Sequence, residues 1–117
     1  MTTEEFESTI KNFVDKYNNN LKIQNMLKKW NAELLIWSKD DNAGFIIKVE
    51  NGKVVDISKS TSFNEGRIKV VGERRILIDM FKGLKNPSQL YLNGIIEVYG
   101  PERDQIILDR IVEEIWG

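Results

Sequence analysis

Phe6, Ile10, Phe13, Val14 and Tyr17 recur at intervals of three and four, the spacing of one apolar stripe along a helix. Thr2 or Thr3 is the expected N-cap, with Glu5 or Phe6 in the first turn. Asn18-Asn19-Asn20 interrupts the stripe. Leu21, Ile23, Met26, Leu27 and Trp30 then trace a second, shorter helix with Lys28 and Lys29 on its opposite side. From Ala32 the period changes. Leu34, Leu35, Ile36 and Trp37 are continuous, as in a strand covered on both faces, which places this strand in the middle of a sheet. Lys39 to Gly44 is a turn, after which Phe45, Ile47 and Val49 alternate with Ile46, Lys48 and Glu50, giving one apolar face and one mostly wet. Asn51-Gly52 follows at once. Both central residues of a type I′ turn need positive φ, so this pair predicts a hairpin, with Val55 and Ile57 continuing the apolar face.

Ser58 to Gly66 is polar and reads as a loop, and Ile68, Val70 and Val71 make a fourth strand ending at Gly72. A helix begins at Glu73, with Ile76, Leu77, Met80, Phe81 and Leu84 along one side. Gly83 weakens its end, and Asn86-Pro87 closes it because the residue before proline avoids the helical region. Pro87 opens a short helix carrying Leu90, Tyr91 and Leu92. Asn93-Gly94 breaks the chain, Ile95 to Tyr99 reads as a fifth strand, and Pro101 begins the last helix. Its apolar positions Ile106, Ile107, Ile111, Val112, Ile115 and Trp116 spread too widely for one neighbour, so it packs on several or covers something. This order describes an α+β domain: a five-stranded, mostly antiparallel sheet with helices packed on one face.

Composition narrows the function. A chain of 117 residues, 41% hydrophobic, forms one domain over residues 1–117 with one core. Lys and Arg total 17 against 18 Asp and Glu, a net charge of -1, so no broad attraction to nucleic acid or an anionic membrane is expected, and membrane contact is at most transient. The sequence contains neither cysteine nor histidine. Disulfides, thiolate nucleophiles, Ser-His-Asp and Cys-His triads and most transition-metal sites are thereby excluded, and no metal or other cofactor is expected. No apolar run approaches the roughly 20 residues that span a bilayer. The acidic start Met-Thr-Thr-Glu-Glu-Phe-Glu is unlike a signal peptide, so a cytoplasmic protein is expected.

Several segments together resemble the sterol carrier protein type 2 family: the hairpin from Val49 to Val55, the strand Ile68 to Gly72, the helix Ile76 to Gly83, the Asn86-Pro87 step, and Asn93 to Gly100. The resemblance covers nearly the whole chain and rests on glycine and apolar positions rather than a catalytic signature. It implies a hydrophobic tunnel between sheet and helices that holds a fatty acid, fatty acyl-CoA, sterol or other lipid. The chain is more compact than the longer sterol-binding members and has an acidic start, which points away from sterols. Related domains also serve as parts of larger enzymes or as accessory factors in quinone biosynthesis.

On this reading Phe45, Ile47, Val70 and Val98 project from one sheet face, with Val49, Ile68 and Ile96 beside them. Ile76, Met80, Phe81, Leu84, Leu90 and Leu92 face them from the helices, and Ile107, Ile111 and Trp116 cover one end. Such walls suit an acyl chain. Core packing is the simpler account of any single residue, because so small a domain needs most of its hydrophobes to fold. Arg74, Arg75, Lys82 and Lys85 are candidates to meet a carboxylate or the phosphates of acyl-CoA at the mouth, against a solvated face as the simpler account. Trp30 and Trp37 read as core, whereas Trp116 is open to either role. Asp40-Asp41, Glu65, Asp79 and Glu97 show no catalytic spacing, and Asp40-Asp41 before Asn42 and Gly44 reads as a turn. The expected function is a non-enzymatic carrier of a fatty acid, fatty acyl-CoA or similar lipid. The alternative is an accessory subunit presenting a lipophilic intermediate, such as a quinone precursor, to a partner enzyme.

Overall fold

The apolar run from Ala32 forms β1 (Ala32–Ser38), the central strand of a five-stranded sheet. The structure, a computed structural model, describes residues 2–117, with side chains from Glu4 onward; the capping oxygens of Thr2 and Thr3 lie outside the described side chains. Strands β2 (Ala43–Glu50) and β3 (Lys53–Ser60) lie on one side of β1, and β4 (Ile68–Gly72) and β5 (Glu97–Tyr99) on the other, in the order β3-β2-β1-β4-β5. Every neighbouring pair is antiparallel except β1 and β4, which run parallel. The helices among the described residues are α1 (Thr2–Asn18), α2 (Leu21–Met26), α3 (Arg74–Phe81), α4 (Pro87–Leu92) and α5 (Glu102–Trp116).

Because β4 is parallel to β1, the chain must cross the sheet between β3 and β4. Three strand spacings amount to roughly 14 Å, within reach of the seven residues between Ser60 and Ile68. This crossing segment covers the face opposite the helices. Phe63 packs edge-on to Trp37 with ring centroids 5.5 Å apart, and a Cβ on Gly66, at φ +84°, would lie 3.0 Å from the Cβ of Leu35. Leu35, Trp37 and Val71 form a small buried cluster there, joined by Ile46. Leu34 and Ile36 point the other way, into the main core beneath the helices. The expectation of a strand buried on both faces is met, with a loop rather than a helix supplying the second cover.

The hairpin forms as expected, with Asn51 and Gly52 at φ +52° and +84°. Beyond it Ile57 packs against the main core as expected, but Val55 does not continue the apolar face. Ile47 pairs with Ile57 and Lys48 with Asp56, but Val49 pairs with Val54, so Val55 is the extra residue of a bulge and is 53% exposed. Asn18 fixes this arrangement. Its side-chain amide donates to the Val54 carbonyl at 3.1 Å, and its oxygen accepts from the Val54 amide at 2.9 Å, like a one-residue strand on the sheet edge. Strand β5 is shorter than the predicted Ile95 to Tyr99 because the Ile95 and Ile96 amides both donate to the Leu90 carbonyl, closing α4 instead of joining the ladder.

Two buried polar contacts pin the helices. Tyr17 Oη donates to the Gly52 carbonyl at 2.7 Å, tying α1 to the hairpin tip. Trp30 Nε1 donates to Asp104 Oδ1 at 3.0 Å, and Arg67 pairs with the other oxygen at 3.0 Å, fixing the start of α5.

Candidate functional site

Between the helices and the sheet the packing leaves a cavity of about 760 Å³, within the roughly 300–1,000 Å³ usual for small-molecule sites. Alternation along the strands places its floor: Leu34 and Ile36 on β1, Ile47 and Val49 on β2, Val54 on β3, Val70 on β4 and Val98 on β5. Its roof is Phe13, Val14 and Tyr17 of α1, Met80 and Phe81 of α3, and Leu108, Ile111 and Val112 of α5. One end is closed by Phe13, Phe81 and Trp116. Phe13 stacks on Trp116 with centroids 5.2 Å apart and meets Phe81 edge-on at 4.9 Å. Trp116 Nε1 donates to the Met80 carbonyl at 2.9 Å, which holds the end of α5 against α3.

Apart from Gly117, the exposed lining residues Ser88, Gln89, Tyr91, Leu92, Asp109 and Glu113 belong to α4 and α5, so the mouth opens between these helices. Helix α4 starts cleanly, with Asn86 Oδ1 accepting from the Ser88 amide at 2.8 Å and Pro87 in the first turn. Gly83 and Gly94 flank it at φ +85° and +72°, conformations that favour glycine. Burial pushes the Tyr17 phenol above its ordinary pKa of 10, so this roof hydroxyl stays protonated and is used in the bond to Gly52.

Of the residues expected to meet a ligand, Ile47, Val70, Met80, Phe81, Leu92, Val98, Ile111 and Trp116 line the cavity. Phe45, Ile76, Leu84, Leu90 and Ile107 lie outside the lining. Phe45 is buried edge-on against Phe6, 5.1 Å between centroids. Leu90 is buried in the core, and Ile76 packs against the core's edge. Leu84 follows the positive-φ turn at Gly83 and is 71% exposed, since α3 and its apolar stripe already end at Phe81. Ile107 faces a separate groove shared with Met26 and Leu27. Sequence reasoning missed the contributions of α1 and of Leu34, Ile36, Val54 and Leu108, which carry the same apolar signal as any core residue.

The basic side chains expected at the mouth are elsewhere. Arg74 bonds Asp41 at 2.5 Å, Arg75 bonds Glu5 at 3.3 Å and Asp79 at 3.2 Å, and Lys82 bonds Glu5 at 2.9 Å. These pairs clamp α3 to α1 and to the β1–β2 turn, and neither they nor Lys85 line the cavity. Asp40 and Asp41 form that turn, with Ser38 Oγ 2.7 Å from a carboxylate oxygen of each and its one proton shared between them, as expected of a structural pair. Trp30 and Trp37 are buried, and Trp30 also touches the cavity.

The fold matches that of sterol carrier protein 2. A crystal structure of sterol carrier protein 2 superposes with a TM-score of 0.68 and 10% identity over 91% of this chain and 92% of that one. Sterol carrier protein 2 like 2 from Aedes aegypti gives 0.67 and 13% over 98% and 100%. A solution structure of that mosquito protein in palmitated form gives 0.64 and 16% over 96% and 95%. A stereoselective inverting sec-alkylsulfatase from Pseudomonas sp. matches over 71% of this chain but only 12% of its own, with a TM-score of 0.54 and 11% identity. The same fold therefore also occurs as a small part of a larger chain. No family model and no curated protein matches the sequence.

Proposed function

We propose that this chain is a non-enzymatic lipid-binding and transfer domain, which shelters the apolar part of a long-chain lipid in the cavity between sheet and helices. The observation that carries this reading is the cavity itself: side chains from every strand and from α1, α3, α4 and α5 turn inward without filling the space they enclose. A molecule with a fatty acyl or similar chain matches those walls. At about 0.8 kcal/mol per buried methylene, a twelve-carbon chain contributes about 10 kcal/mol before the cost of association. The palmitated mosquito relative supports the choice of ligand class. The residues proposed to contact the chain are Ile47, Val70, Met80, Phe81, Leu92, Val98, Ile111 and Trp116, and the proposed setting is the cytoplasm.

Entry is proposed to occur by displacement of α4, a six-residue helix at the mouth between two glycines with open space where a side chain would stand. The test is a titration of delipidated protein with a pyrene-labelled long-chain alcohol, followed by energy transfer from Trp30 and Trp116. Saturable one-to-one binding is expected, and Val70→Trp, which fills the cavity from its floor, should abolish it while the protein stays folded. Non-saturable binding unaffected by Val70→Trp would mean the cavity closes in solution. An accessory role beside an enzyme would then be the better reading.

A further inference from the structure

The cavity's polar fittings are sorted by charge. Among the described lining residues there is no lysine or arginine, although the sequence holds 17. Asp109 and Glu113, one turn apart on α5, are exposed at the mouth, and neither side chain makes a hydrogen bond or ion pair among the described residues. The other polar lining groups there are uncharged amides and hydroxyls: Asn86, Ser88, Gln89, Tyr91 and Gln105. The same helix sends its cations the other way. Arg103 and Arg110 line a separate groove with Lys29 and Arg67.

We propose that the cavity selects lipids by the charge of the polar end, taking cationic amphiphiles most tightly, then uncharged ones, and rejecting carboxylates. This rests on the carrier reading above and narrows its ligand class. With the apolar chain inside, the polar end is left at the mouth beside Asp109 and Glu113. An exposed unit charge about 6 Å from another is worth roughly threefold in affinity in water, so two carboxylates together are worth about tenfold. A carboxylate at that position is repelled by that factor, whereas an ammonium gains it. A fatty acid or acyl-CoA, with its anionic end, meets no cation among the described lining residues to offset its desolvation.

The test displaces the neutral pyrene alcohol with dodecylamine, dodecanol and dodecanoate at pH 7 and low salt, below their micellar concentrations. Chain length is held constant, so the head group alone sets the ranking. The expected order is amine, alcohol, acid, with about tenfold between neighbours, compressed by added salt. Asp109→Asn with Glu113→Gln should collapse the spread to about twofold, and Asp109→Lys with Glu113→Lys should reverse it. If dodecanoate competes as well as dodecanol and the variants leave the ranking unchanged, head-group selection is wrong while the carrier stands. If the neutral probe itself fails to bind, both fall.

Discussion

The two faces of one sheet bury apolar side chains in opposite ways. On the loop face Leu35, Trp37, Val71 and Ile46 meet Phe63 and a glycine that approaches within van der Waals contact, and the space is filled. On the helix face Leu34, Ile36, Ile47 and Val70 are just as apolar yet border a cavity of about 760 Å³. The same alternating strands supply both. What differs is the cover: a segment without regular structure can settle onto its face side chain by side chain, whereas helices are stiff rods held at fixed heights. The heights here are set by bonds at their ends, such as Tyr17 to Gly52, Trp30 to Asp104 and Trp116 to Met80.

Unequal costs of truncation on the two faces follow. Trp37→Ala on the filled face should cost about 3–5 kcal/mol, measured by urea unfolding, because it opens a new void as well as losing transfer free energy. Tyr17→Phe should cost about 2 kcal/mol by leaving the Gly52 carbonyl unpaired, and should loosen the hairpin in hydrogen exchange. Its pH dependence is distinct. The folded-state pKa of Tyr17 is raised, so its contribution is full below pH 10, the unfolded value, and is lost as pH rises above it. Tyr17→Phe should remove that alkaline loss.

Ile47→Ala at the cavity floor should cost only about 1–2 kcal/mol, since the space beside it is already open, while weakening lipid binding. An Ile47→Ala cost as large as that of Trp37→Ala would erase the difference between the faces. Glu5→Gln has the smallest effect. Hydrogen bonds from Lys82 and then Arg75 hold the Glu5 carboxyl below its ordinary value of 4.5. Its stabilisation is therefore present above pH 4.5 and is lost as pH falls through the lowered folded value. The difference in Tm between wild type and Glu5→Gln should vanish on acidification.

Most of the fold is legible in the sequence because local rules fix it. Asn51-Gly52 specifies its turn through positive φ, Asn86-Pro87 its helix start, and the run Leu34 to Trp37 its central strand. The misplacement of Val55 has a non-local cause, since Asn18 is 36 residues away from the strand edge where it inserts its amide. The cavity is half legible. Ile47, Val70 and Val98 follow from alternation, but Phe13, Val14 and Tyr17 cannot be distinguished by spacing from Phe6 and Ile10 on the same helix, which are buried in solid core.

The sequence alone determined which side chains leave water, where the chain turns, and which chemistries its missing cysteine and histidine forbid. Periodicity and backbone preference act over a few residues and need no partner. The tertiary structure decided whether buried side chains meet each other or surround a cavity, because that depends on the separation of layers set by distant bonds. It also decided which charges are consumed in pairs and which are left at the mouth. Arg74, Arg75 and Lys82 are neutralised by carboxylates brought to them from other elements, whereas Asp109 and Glu113 pair with no cation among the described residues, because electrostatic pairing depends on distance in space and not on position along the chain.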